Sequence, residues 1–83
     1  VKKLNRFTKQ IKDKLPGLEK NDAITISETV DMINDELMGA ESKKKVVRNG
    51  LKLLNLMQEK LECEEIYELI SNYCEYVEAI SIP

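Results

Sequence analysis

Cys63 and Cys74 are the only thiols in the chain, and no histidine accompanies them. Without an imidazole the commonest general base and the commonest transition-metal ligand are both missing. Two thiolates alone cannot close a four-ligand zinc site. Eleven residues separate the pair, which on one helix is roughly 16 Å, well beyond disulfide reach. Both are therefore expected to be free thiols on apolar helix faces, slow to react and suited to a reducing compartment.

A second set of reactive groups is Ser27, Glu28, Thr29, Asp31, Asp35 and Glu36. A single helix spreads these hydroxyls and carboxylates around its circumference, so their closeness in sequence does not make one site. The chain has no Gly-rich phosphate loop and no calcium-loop spacing. The residues thus predict a protein that is not an enzyme, with no catalytic residues, no cofactor and no metal.

The charged residues are segregated. Residues 1–20 hold seven Lys/Arg against two acids, whereas residues 62–83 hold six glutamates and no base. Blocks of opposite sign can steer partners, or attract each other if the helices carrying them are neighbours. Two basic clusters could meet phosphates: Lys2, Lys3 and Arg6 on the polar side of a first helix, and Lys43, Lys44 and Lys45 at the start of a third. Against nucleic-acid binding stand a net charge of −2 and a pI near 5.2. Phe7 also belongs to an apolar stripe and not to an aromatic-interleaved basic surface.

These groups must be positioned by helices. Val1, Leu4, Phe7, Ile11 and Leu15 recur at spacings of three and four, the pattern of one amphipathic helix face. Pro16-Gly17 stops that helix. Thr25-Ile26-Ser27-Glu28 fits a capping box, predicting a second helix from near Thr25. Its apolar face is Ile26, Val30, Ile33 and Leu37, and Gly39 stands at the C-cap. Ser42 is placed to cap a third helix running to about Leu61, with Val46, Val47, Leu51, Leu53, Leu54, Met57 and Leu61 on a wide apolar face. Asn49-Gly50 is a strong turn signal, yet the apolar phase continues through it. Either Gly50 marks a close helix crossing, or the helix breaks there.

The phase slips near Glu62-Cys63, and Ile66, Leu69, Ile70, Tyr73, Val77 and Ile80 form the stripe of a fourth helix. Within it, Cys63 to Tyr73 resembles the second helix of the short aspartyl-phosphate phosphatases of sporulating bacteria over eleven residues, through its Glu, Leu-Ile and Tyr positions. That family's aspartate falls on Tyr67, so the resemblance implies a helix and carries no activity.

The fold class that follows is all-α, a compact bundle of about four amphipathic helices in one domain over 1–83. The apolar runs are far too short for a transmembrane segment. The basic start lacks a signal-peptide apolar core, which predicts a cytoplasmic protein. A membrane-surface role for the first helix would remove Phe7, Ile11 and Leu15 from a core that needs them. Leu56 and Tyr76 fall off their helices' main stripes, and Ile80, Ile82 and Pro83 extend the apolar pattern to the end of the sequence. Leu56, Tyr76 and Ile80 are the expected protein-binding residues of a small adaptor, inhibitor or regulatory module, acting on a partner protein or as a homodimer. The alternative is a nucleic-acid-binding regulator using the two basic clusters.

Overall fold

The computed structural model describes residues 2–39 and 43–81. It contains α1 (Lys2–Lys14), a 3₁₀ turn (Leu15–Gly17), α2 (Lys20–Met38), α3 (Lys44–Gln58) and α4 (Glu64–Ser81). These are the four helices of the expected all-α bundle. The expected roles of Val1, Ser42, Ile82 and Pro83 lie outside the described residues.

Helix α1 ends where Pro16 enters, and the Leu18 N–H closes the turn on the Leu15 carbonyl at 2.9 Å. Helix α2 begins at Lys20, ahead of the capping box expected at Thr25. The cap is Glu19, whose carboxylate accepts the Asp22 N–H at 3.1 Å. The Thr25 hydroxyl instead donates back to the Asn21 carbonyl at 2.9 Å, the usual fate of a threonine inside a helix. Nothing between Lys20 and Ile24 breaks a helix, and carboxylates at Glu19 and Asp22 favour its positive end. At the other end Gly39 is extended, with φ −73° and ψ 156°, and does not form the left-handed cap glycine often supplies. The Glu36 carboxylate reaches past the end of α2 to accept the Lys43 N–H at 2.7 Å, so a side chain of α2 caps α3.

Helix α3 stops at Gln58, short of Leu61. The Lys60 and Leu61 N–H groups turn back onto the Met57 and Gln58 carbonyls at 3.1 and 3.0 Å. Leu61 still packs, half-buried, on the core. Helix α4 starts at Glu64, where the apolar phase had slipped.

The contacts fix the topology. Lys14 meets Glu65 and Lys3 lies over Tyr76, so α1 runs antiparallel to α4. Lys12 meets Asp31 and Thr8 meets Asn34, so α1 is antiparallel to α2 as well. Lys43 on Glu36 together with Gly50 against Ile33 sets α3 antiparallel to α2, and α3, thus parallel to α1, is antiparallel to α4, against which Gln58 meets Tyr67 and Ser71. The result is an up-down-up-down four-helix ring.

Its core is held by Ile11, Ile26, Val30, Ile33, Val47, Leu54, Ile70, Tyr73 and Val77, each with almost no exposed surface. Gly50 is buried inside an unbroken α3. A Cβ there would sit 2.5 Å from Ile33 Cγ1 and 2.8 Å from Ile33 Cδ1, so the glycine is what lets α3 approach α2. One polar chain crosses the apolar interior. The Tyr73 hydroxyl donates to Asn34 Oδ1 at 2.6 Å, Asn34 Nδ2 donates to Thr8 Oγ1 at 2.9 Å, and Thr8 donates to the Leu4 carbonyl at 2.9 Å. This ties α4, α2 and α1 at one level with no buried side-chain polar atom left unpaired among the described residues. Such a chain specifies which helices meet, because a slipped register would strand its polar groups.

The ring also explains the segregated charge. Helix α1 carries a net +5, α2 −4, α3 +4 and α4 −5. Every helix therefore has neighbours of opposite sign, and like charges lie on diagonals. Only two ion pairs close among the described residues, Lys12–Asp31 at 2.6 Å and Lys14–Glu65 at 3.0 Å. Both are exposed and individually weak, so the alternation acts mainly as a field favouring this neighbour order.

Candidate functional site

The three residues expected to bind protein do not form one patch. Leu56 is 58% exposed on the outward side of α3. The Gln58 amide donates to the Tyr67 carbonyl at 2.9 Å and to Ser71 Oγ at 2.8 Å, which seats this end of α3 beside the first half of α4. Tyr76 and Ile80 stand in the last two turns of α4. Tyr76 is half-buried: its ring centroid lies 5.6 Å from that of Phe7, and Lys3 Nζ is 5.5 Å above it. Its aromatic surface is thus largely used in joining α4 to α1. Ile80 is 51% exposed at the end of its helix.

What surrounds Leu56 is a different set of apolar side chains. Leu53, expected in the core face, is 39% exposed instead. It stands about 60° around the helix from Leu56, on the flank of Gly50 that faces α2. The arc of α3 that α2 and α4 can cover is narrower than the apolar pattern, and Leu53 falls at its edge. Across the seam Met32 is 42% exposed, and its Cε would lie 3.3 Å from a Cβ at position 50. Met32, Leu53 and Leu56 thereby make an apolar strip running from the α2–α3 seam onto the outer face of α3. Lys45, Arg48 and Lys52, all exposed, share that helix. Met32 was not singled out by sequence because its spacing from Ile26, Val30 and Ile33 keeps it outside their stripe, the property that leaves it on the surface.

The basic residues Lys2, Lys3, Arg6, Lys43, Lys44 and Lys45 are all exposed. Arg6 lies over Phe7 with its guanidinium carbon 5.9 Å from the ring centroid. The hydroxyl and carboxylate set on α2 is dispersed: Asp31 is taken by Lys12, Glu36 by the Lys43 amide, and Glu28 and Asp35 face solvent separately. No group of three or more Cys, Asp or Glu side chains that could hold a metal ion occurs among the described residues. A concavity of about 480 Å³ between the end of α1 and the start of α2 is an open groove lined by Leu15, Leu18 and Ala23 among others. No helix is long and apolar enough to cross a membrane among the described residues.

The titratable groups with displaced pKa values are structural. Burial, reinforced by the charge of Glu78, pushes the Cys74 thiol up to about 12. Burial also raises the Tyr73 phenol above its ordinary range. The hydrogen bond and charge of Glu65 raise Lys14. Cys74 is a buried free thiol as expected, whereas Cys63 is exposed, because it lies in the connection before α4 and not on an apolar helix face. In sequence and in fold, the chain matches no family model, no curated protein and no solved structure.

Proposed function

We propose that the protein is a cytoplasmic adaptor or regulatory module that docks on another protein through the outer face of α3, with a second copy of the chain as one natural partner. The observation that carries this reading is the strip formed by Met32, Leu53 and Leu56, three of the seven large apolar side chains exposed among the described residues and the three that meet along one helix and its seam. Aliphatic anchors of this kind supply most of the energy at protein interfaces, and the lysines and arginine beside them fit the rim that sets orientation and encounter rate. Two free thiols suit a reducing compartment. The rival nucleic-acid reading is weakened by the net charge of −2 and by the charge alternation, since each basic helix is flanked by two acidic ones.

The test is site-specific photocrosslinking from position 56, compared with exposed Asn5 on α1, in purified protein and in cell extract. The reading expects a discrete adduct from position 56, either with a second copy or with one other protein, that disappears when Leu53 is changed to Glu. Equal labelling from positions 56 and 5, or an adduct indifferent to Leu53→Glu, would overturn it.

A further inference from the structure

The up-down-up-down order has a consequence that neither basic cluster reveals alone: it brings the start of α1 and the start of α3 to the same end of the bundle. Lys2, Lys3 and Arg6 therefore share an end with Lys43, Lys44, Lys45 and Arg48, on the two diagonally placed basic helices. The same end carries the last turns of α2 and α4. There Met38, 54% exposed, and Ile80, 51% exposed, stand on the last turns of α2 and α4. Among the described residues the acids nearest this end are Asp35, Glu36, Glu75 and Glu78, set back by two to six residues from the last residue of their helices. Glu36 is already engaged by the Lys43 amide. Seven bases against four acids leave this end positive among the described residues, although the whole chain carries −2.

We infer that this end is a contact surface for an anionic lipid bilayer, touched end-on by the folded bundle. Clusters of four to eight Lys/Arg are attracted to acidic headgroups, and neighbouring apolar side chains gain by entering the headgroup boundary. The exposed Met38 and Ile80 favour a bilayer over nucleic acid, which offers them no apolar phase. The chemistry of the surface is also mostly lysine, a point charge suited to headgroups, and lacks a free aromatic platform on which bases could stack. This mode differs from insertion of an amphipathic helix, because Leu4 and Ile11 of α1 stay buried in the core.

The experiment is co-sedimentation of the full chain with vesicles of phosphatidylcholine alone and of phosphatidylcholine with 30 mol% phosphatidylserine (about a third anionic lipid, the regime of a cytoplasmic leaflet), beside a duplex DNA binding assay. Binding is expected to the anionic vesicles only, weakening as salt rises. Reversing Lys43, Lys44 and Lys45 to Glu should lower it about tenfold or more. Carboxylates suit the first turn of α3, so this variant keeps its fold, which circular dichroism checks. Met38→Ser and Ile80→Ser should each lower vesicle binding by severalfold and leave any weak DNA binding unchanged. Binding to duplex DNA without vesicle binding, vesicle binding indifferent to the lysine reversals, or binding to neither would each overturn the inference. The apolar strip of Met32, Leu53 and Leu56 is untouched by these variants, so crosslinking from position 56 that depends on Leu53 tests the docking reading separately.

Discussion

Replacing Gly50 with Ala sets two effects of known size against each other. In an open helix the change stabilises by about 1 kcal/mol, since alanine loses less backbone freedom. At Gly50 the new Cβ would lie 2.5 and 2.8 Å from Ile33 Cγ1 and Cδ1, distances that require something to move. Ile33 is fully buried and β-branched, so it has little rotamer freedom to escape. Overpacking of this kind costs about 1–3 kcal/mol. The clash should therefore win by up to roughly 2 kcal/mol, which in a domain of this size lowers Tm by up to about 15 °C. Urea unfolding followed by circular dichroism measures it. A companion Ile33→Ala removes both offending carbons. It alone should cost about 2–5 kcal/mol, and at least about 1 kcal/mol less in the Gly50→Ala background. A stabilised Gly50→Ala protein, or additivity within about 0.5 kcal/mol, would refute the close crossing and favour a helix broken at Asn49-Gly50.

Leu54→Ala should destabilise by about 2–5 kcal/mol in the same assay, because Leu54 is fully buried at the centre of α3; a loss below about 0.5 kcal/mol would place it on the surface. Tyr73→Phe removes the donor to Asn34 Oδ1 and should cost about 1–3 kcal/mol by stranding that oxygen, whereas Tyr67→Phe on the exposed face of α4 should be near neutral. A thiol reagent should label Cys63 in the native protein and reach Cys74 only on unfolding. Cys74 and Tyr73 are held neutral in the fold, with pKa values above their ordinary 9.0 and 10.0. The unfolded chain thus releases protons first as pH rises. Stability should then be undiminished by these groups below about pH 9 and fall progressively above it, toward the pKa of about 12 that Cys74 has in the fold. A flat alkaline profile by denaturant titration would contradict their burial.

Apolar periodicity alone locates the helices here, because Leu4, Ile11, Val30, Ile33, Leu54, Ile70 and Val77 are spaced as one buried face each. Gly50 is legible for the same reason: the phase does not change across it. The start of α2 is not, since Glu19 caps it in place of one of the usual Ser, Thr, Asp or Asn residues, and Thr25-Glu28 imitates the signal nearly two turns too late. The polar chain through Asn34 leaves a faint trace, a polar residue flanked by Val30, Ile33 and Leu37 within the apolar stripe of α2. Its partners Thr8 and Tyr73 come from other helices, and only the three-dimensional neighbour order joins them. Surface assignment is harder still. Leu56 reads correctly as outward-facing, but Leu53 and Met32 depend on how closely α2 and α3 approach, and Tyr76 looks surplus until Phe7 is packed beside it. Likewise the two basic clusters are visible in sequence, while their meeting at one end follows from the topology.

Whether a protein covers the outer face of α3 is measured by calorimetric titration of the crosslinked species, be it another protein or a second copy, with wild-type and Leu56→Ala chains. Leu56→Ala should lose more than about 1 kcal/mol of binding energy, with the melting temperature of the isolated bundle unchanged within a few degrees. A Kd that stays within about twofold of wild type would contradict it.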